Sequence, residues 1–257
     1  MPSVASVRQI QGNLVDLTAL TVRDLLALLR TAEGRDAQFI RDLLVEAYPE
    51  VVGQYANAAG VLTADWYESL PGDPAFRAAA ATVAPAQLEG TARWAAGAIF
   101  SGGSLQEIVA GSAKRHVFNA SRETVLDNAG RERVTWARYA SANACPFCRM
   151  LATRGSVYTS ESAATRVGGR GKDVSTNFTA DGRRRRGGQA KGIRARGNQS
   201  LGSKYHDNCR CMAVPVRSGD TYEPPGYVQD WAAEYTQARA AADGDDAKSI
   251  LAAWRKL

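Results

Sequence analysis

Cys145-Pro146-Phe147-Cys148 and, about sixty residues later, His206-Asp207-Asn208-Cys209-Arg210-Cys211 are the stretches on which the reading of this chain turns. All four cysteines of the 257 residues lie there, with one of only two histidines. A CxxC turn can aim both sulfurs at one point. In an extended CxC both side chains fall on the same strand face, because strand side chains alternate. With His206 this makes five soft donors, one more than a tetrahedral Zn²⁺ takes. The expected structural site is therefore Cys145, Cys148, Cys209 and Cys211 around one metal ion, with His206 able to replace one thiolate. Other readings of the same residues stay open. The even number of cysteines permits two disulfides or a set of reduced core thiols, and one thiolate beside one imidazole is enough for nucleophilic chemistry. The opening Met1-Pro2-Ser3-Val4-Ala5-Ser6 has no charged-then-apolar leader pattern, so an oxidising destination is not indicated.

Both knuckles adjoin strand-like sequence. Arg133-Val134-Thr135-Trp136-Ala137-Arg138-Tyr139 alternates and is rich in β-formers. Pro146 suits the first turn of a short helix over Phe147–Ala152, which Gly155 can end before Val157-Tyr158 resumes an extended path. Met212-Ala213-Val214-Pro215-Val216 reads as a closing strand, and Pro215 places it at an edge or near a strand end. A cross-link between the knuckles would thus pin a small mixed sheet.

Between them lies a long insert, residues 165–204. It holds eleven Lys/Arg against two Asp and so carries +9, whereas the whole chain carries +6 and the remainder 6 − 9 = −3. Its nine glycines and near lack of large apolar residues beyond Phe178 predict a segment that cannot offset its ordering entropy. Arg183, Arg184, Arg185, Arg186, Lys191, Arg194 and Arg196 are candidate phosphate contacts for nucleic acid. The absence of interleaved aromatics argues against base stacking. The plainer reading is a solvated loop that tolerates charge.

Before the knuckles the period is helical. Residues 1–13 read as a loose arm. Leu17, Leu20, Leu25, Leu28 and Leu29 then mark a helix ending at Gly34. Ile40, Leu43, Leu44, Ala47 and Val51 mark a second, with Asp36 as N-cap and Pro49 expected to bend or divide it. Pro71-Gly72-Asp73-Pro74 is a stop. Two more helices are predicted over about 85–100 and 104–128, with His116 a hydrogen-bonded core residue and Trp66 and Trp94 core anchors. After the module, Tyr227, Val228, Trp231, Tyr235 and Ala238 form one helical face expected to dock on the chain's own core, and Ile250, Leu251 and Trp254 mark a last short helix. The apolar fraction is 45%, enough for a real core, and no run is long enough to span a membrane. The expected class is α+β, with a helical region 1–130, a module 131–218 containing the insert, and a helical tail 219–257.

These residues together resemble the Mu F-like minor head proteins of tailed bacteriophages, in particular those of actinobacterial phages. The resemblance rests on Trp136, Cys145-Pro146-Phe147-Cys148, Arg154-Gly155 and Tyr205-His206-Asp207-Asn208-Cys209-Arg210-Cys211 before Val214-Pro215-Val216, behind a helical first half. It covers mainly residues 131–217, and the His-x-x-Cys-Arg-Cys block is its most specific part. It implies a low-copy virion component of head morphogenesis, contacting portal or major capsid protein near packaged double-stranded DNA. Such a protein passes through the host cytoplasm during assembly and acts on no small-molecule substrate.

Two functions of different kinds compete. One is this virion structural role; the other is a zinc-stabilised nucleic-acid-binding protein using the basic insert. A nuclease using His206 or Asp207 is a weaker third, because no carboxylate cluster for hard cations lies nearby. No GxSxG, HExxH or phosphate-binding glycine loop is present, so no enzymatic activity is expected.

Overall fold

A computed structural model describes residues 2–153, 209–220, 222–244 and 247–257 of the chain. Within them lie α1 (Val4–Thr31), α2 (Ala37–Ser69), α3 (Pro85–Ser101), α4 (Leu105–Glu132), β1 (Thr135–Tyr139), α5 (Pro146–Ala152), β2 (Met212–Val216), α6 (Tyr227–Ala241) and α7 (Ala247–Trp254). The class is the expected one, a helical first half followed by a small sheet with a cysteine cluster and then two helices. The sheet is not mixed: β1 and β2 pair antiparallel, with Thr135 opposite Val216 and Tyr139 opposite Met212. Among the described residues each strand therefore pairs on one side only, and Pro215 is tolerated on the other. Among the described residues no helix is long and apolar enough to cross a membrane.

The opening residues are helix, not a loose arm. Ser3 caps α1 by accepting a hydrogen bond from Ser6 N at 3.1 Å. The buried stripe of α1 is Val7, Ile10, Leu14, Thr18, Thr21, Leu25 and Leu29. Two threonines interrupt it in the sequence, yet each hydroxyl bonds back to its own helix, Thr18 to Val15 O at 2.6 Å and Thr21 to Leu17 O at 2.7 Å. They pack as small apolar groups, while Leu20, expected in the stripe, is exposed.

Pro49 does not divide the second helix, which runs unbroken from Ala37 to Ser69 behind its Asp36 cap. Leu44, Tyr48 and Val52 are fully buried on either side of the proline. At about 1.5–3 kcal/mol per buried side chain, their packing offsets the roughly 3 kcal/mol that an internal proline costs.

The central element is α4, which buries residues around most of its circumference. It meets α2 through small groups, with Thr63 Oγ1 donating to Ser121 Oγ and Tyr48 Oη to Ser112 Oγ, both at 2.9 Å. The chain between α2 and α3 lies extended beside this pair. Asn128 takes a hydrogen bond from Ala79 N at 2.9 Å and returns one to Ala79 O at 2.7 Å, and Thr124 accepts from Ala81 N at 2.9 Å. Gly60 permits that approach, since a Cβ there would sit 2.4 Å from Ala81 O.

Two groups of buried side chains result. One lies among α1, α2, α3 and the start of α4, around Leu25, Leu44, Tyr48, Leu88 and Val109. The other runs from Val7 and Ile10 through Tyr67, Val117 and Phe118 to Trp136, Met212, Trp231 and Trp254. This second core crosses residue 130 without interruption. The tail helices dock on the chain's own core, into which Val228, Trp231 and Trp254 are packed. Tyr227 Oη donates to Ala140 O at 2.8 Å, and Trp254 Nε1 joins the two tail helices through Glu234 at 2.8 Å.

Trp94 is not a core anchor. Leu88, Thr91, Ala92, Ala95 and Ala96 form the inward face of α3, which leaves Trp94 on the outside at 56% exposure. Trp66 is buried as expected, and Trp136 is buried as well.

Candidate metal centre

Cys145 is the N-cap residue of α5 and Pro146 occupies its first turn. The helix that follows carries Cys148 inward, where it is 1% exposed. From the other side, Cys209-Arg210-Cys211 leads straight into β2, and Cys209 and Cys211 are likewise buried. The Sγ atoms of Cys148, Cys209 and Cys211 lie within 4.8 Å of one another, with Cys148 and Cys209 at 3.6 Å. Cys145, partly exposed, lines the same small cavity together with Ser141, Asn143, Ala144 and Arg210. The two knuckles thus meet in space, and no disulfide joins the four cysteines. His206 lies outside the described residues, as do Arg183–Arg186, Lys191, Arg194, Arg196 and the extended piece expected at Val157-Tyr158.

The charge around the thiols is uneven. Hydrogen bonds from Cys148 and Cys211 pull the Cys209 thiol well below its ordinary range. Cys148 moves the other way, first through its hydrogen bond to Cys145 and then through those to Cys209 and Cys211. The opposite directions come from the sulfurs acting on one another, and more than one negative charge in this buried space calls for a cation.

Three neighbouring sulfurs, with no carboxylate grouped with them among the described residues, form a soft donor set, suited to Zn²⁺ rather than to Mg²⁺ or Ca²⁺. With Zn–S bonds of about 2.3 Å, the edge of a tetrahedral site is about 3.8 Å. The 3.6 Å between Cys148 and Cys209 is close to that edge. These three buried cysteines can hold a metal ion.

Sequence reading missed the arginines around the cluster. Arg122, from the middle of α4, is 2% exposed. Its Nε donates to Cys211 O at 2.8 Å and its Nη2 to Cys209 O at 2.7 Å. Arg138, from β1, is 1% exposed and directs Nη1 toward Cys148 Sγ at 3.8 Å. Gln11 of α1 donates to the intervening Arg210 O at 2.7 Å. The available signal was slight: Arg138 shares a strand face with Trp136, and Arg122 stands three residues after Asn119, which accepts from its Nη1 at 2.7 Å.

The second histidine is not part of this centre. His116 is buried, and its Nε2 lies 3.0 Å from Thr91 Oγ1, with the ring edge-on to Tyr48. Thr91 already donates to Gln87 O at 2.9 Å, so Nε2 carries the proton. Burial above all, with Arg115 second, pushes its pKa down to about 4, and it stays neutral.

No curated protein and no solved structure matches the chain. A family model does, over nearly its full length. That model, described as VG15 protein, covers residues 1–238, and the chain belongs to the VG15 family of phage proteins.

Proposed function

We propose that the chain is a virion structural and assembly protein, a minor capsid protein of head morphogenesis whose cysteine cluster holds a structural Zn²⁺. The observation that carries this reading is the match of residues 1–238 to a family of phage proteins. The resemblance of the Cys-Pro-Phe-Cys and His-x-x-Cys-Arg-Cys blocks to Mu F-like minor head proteins supports the finer assignment. In this reading the protein sits in the capsid interior or at the portal vertex, against portal or major capsid protein, and it performs no catalysis. Cys148, Cys209 and Cys211 hold the ion, with Cys145 or His206 as the fourth ligand. The metal would act as a cross-link between α5 and β2. Structural zinc sites are closed in this way, whereas catalytic ones keep a position open to water.

Immunoblotting of purified particles tests the virion role: a fixed low copy number per particle is expected, and absence from virions and proheads refutes it. Elemental analysis of purified protein should find about one zinc per chain, with loss of folded structure on chelation. Metal-free folded protein with four titratable thiols refutes the zinc assignment.

The concentration of +9 within residues 165–204 favours a second reading, contact with packaged DNA through Arg183–Arg186, Lys191, Arg194 and Arg196. Binding to duplex DNA should then weaken steeply with salt, and replacing the four consecutive arginines by serine should flatten that slope. Salt-independent or absent binding removes this reading.

A further inference from the structure

We propose that Arg122 is the positioning residue of the metal centre: its guanidinium holds the Cys-Arg-Cys knuckle so that both thiols face Cys148. The proposal rests on the metal reading above. In an extended segment, carbonyls two residues apart point to the same side, as do the side chains. The fork of an arginine can take both such carbonyls at once, and here Nε and Nη2 take Cys211 O and Cys209 O at 2.8 and 2.7 Å. The third position of the fork, Nη1, is fixed by Asn119 Oδ1 at 2.7 Å, and the guanidinium lies 5.3 Å from the Phe118 ring centroid. The fork is thus held from its own helix as well as by the knuckle.

Such a contact is costly as mere packing, because burying a guanidinium forfeits much of its hydration. An apolar side chain would fill the space at α4 with less penalty, but it could hold neither carbonyl. Arginine does two further things there. It fixes the backbone carrying two of the sulfurs, and it places a positive charge behind groups that must be anionic to bind a metal. Gln11, on Arg210 O from α1, closes the remaining carbonyl. Lysine could not substitute, since an ammonium is a single point and not a planar fork.

The test uses the full, reduced, metal-free chain titrated with Co²⁺ alone, comparing the parent with Arg122→Lys and Asn119→Ala. Affinity and the thiolate-to-cobalt absorption bands are read, with helical circular dichroism at saturating Co²⁺ as the control for folding. Arg122→Lys should bind Co²⁺ about 10–100-fold more weakly, the range for loss of a ligand-orienting partner, with altered bands. Asn119→Ala keeps the guanidinium but removes the Asn119 bond to Nη1, and should lose a few-fold with the same spectral change. It also decides the matter if Arg122→Lys fails to fold. Either folded variant binding Co²⁺ like the parent, with an unchanged spectrum, overturns the proposal. A parent that binds no Co²⁺ removes the metal reading itself, and that failure is visible in the parent alone.

Discussion

Replacing Glu132 by alanine should cost about 3 kcal/mol of stability, because that one carboxylate joins three parts of the fold. It stands in the last turn of α4. Tyr67 of α2 donates to its Oε2 at 2.6 Å, and Arg217, one residue past β2, donates Nε to its Oε1 at 2.7 Å. The ion pair is largely shielded, at 12% exposure for Arg217 and 11% for Glu132. A hydrogen bond to a charged group contributes about 1.5–3 kcal/mol, and stranding one partner of a buried pair costs about 3–5 kcal/mol. Arg217 keeps its bond to Pro71 O at 2.9 Å and its place 5.0 Å from the Tyr67 ring centroid, so the lower end applies. For a chain of this size, about 2–4 °C per kcal/mol gives a fall in Tm of about 6–12 °C. Urea titration followed by tryptophan fluorescence reads the change, since Trp66, Trp136, Trp231 and Trp254 are all buried. The midpoint should drop without a change in slope. Glu132→Gln, which keeps an acceptor for Tyr67, should lose less. An alanine variant melting within about 2 °C of the parent would refute the argument that this junction bears on stability.

Other outcomes follow from the same packing. Gly60→Ala places a Cβ 2.4 Å from Ala81 O and should destabilise by about 1–3 kcal/mol. Gly97→Ala meets nothing within 4 Å and should stabilise by about 0.5–1 kcal/mol; paired urea melts would expose the error if the two moved alike. Trp136→Ala should cost about 3–5 kcal/mol and Trp94→Ala less than about 1, measured by the same titration. His116 has an ordinary pKa of 6.5, lowered to about 4 in the fold. The unfolded chain therefore takes up the proton first, so stability is full above pH 6.5 and is lost as pH falls from 6.5 toward 4. The loss approaches about 3 kcal/mol, at most about 1.4 kcal/mol per pH unit. His116→Gln should remove that component, and parent and variant losing stability in parallel between pH 7.5 and 5 would show that His116 does not carry it.

The sequence was informative where a local rule governed the structure. Cysteine spacing located the knuckles, alternation located β1, and an aspartate before an apolar period located the start of α2. It was silent where the third dimension decided. The phase of α1 was hidden because Thr18 and Thr21 satisfy their hydroxyls within the helix and then pack as apolar groups. Trp94 was misassigned because alanines, whose burial leaves a weak pattern, form the inward face of α3. Arg122 and Arg138 carry charges that usually belong at a surface. Nothing local says that one will meet carbonyls 87 and 89 residues away.

Those carbonyls make the C-terminal part of this protein difficult to transplant. A fragment starting near residue 131 would retain every cysteine. It would lack Gln11 and Arg122, and the peptide oxygens of residues 209 to 211 would have to find water in their place. Fusing that fragment to another protein should give a chain that stays unfolded. Supplying residues 1–130 in trans should restore it, as two cut halves of one object fit along the break.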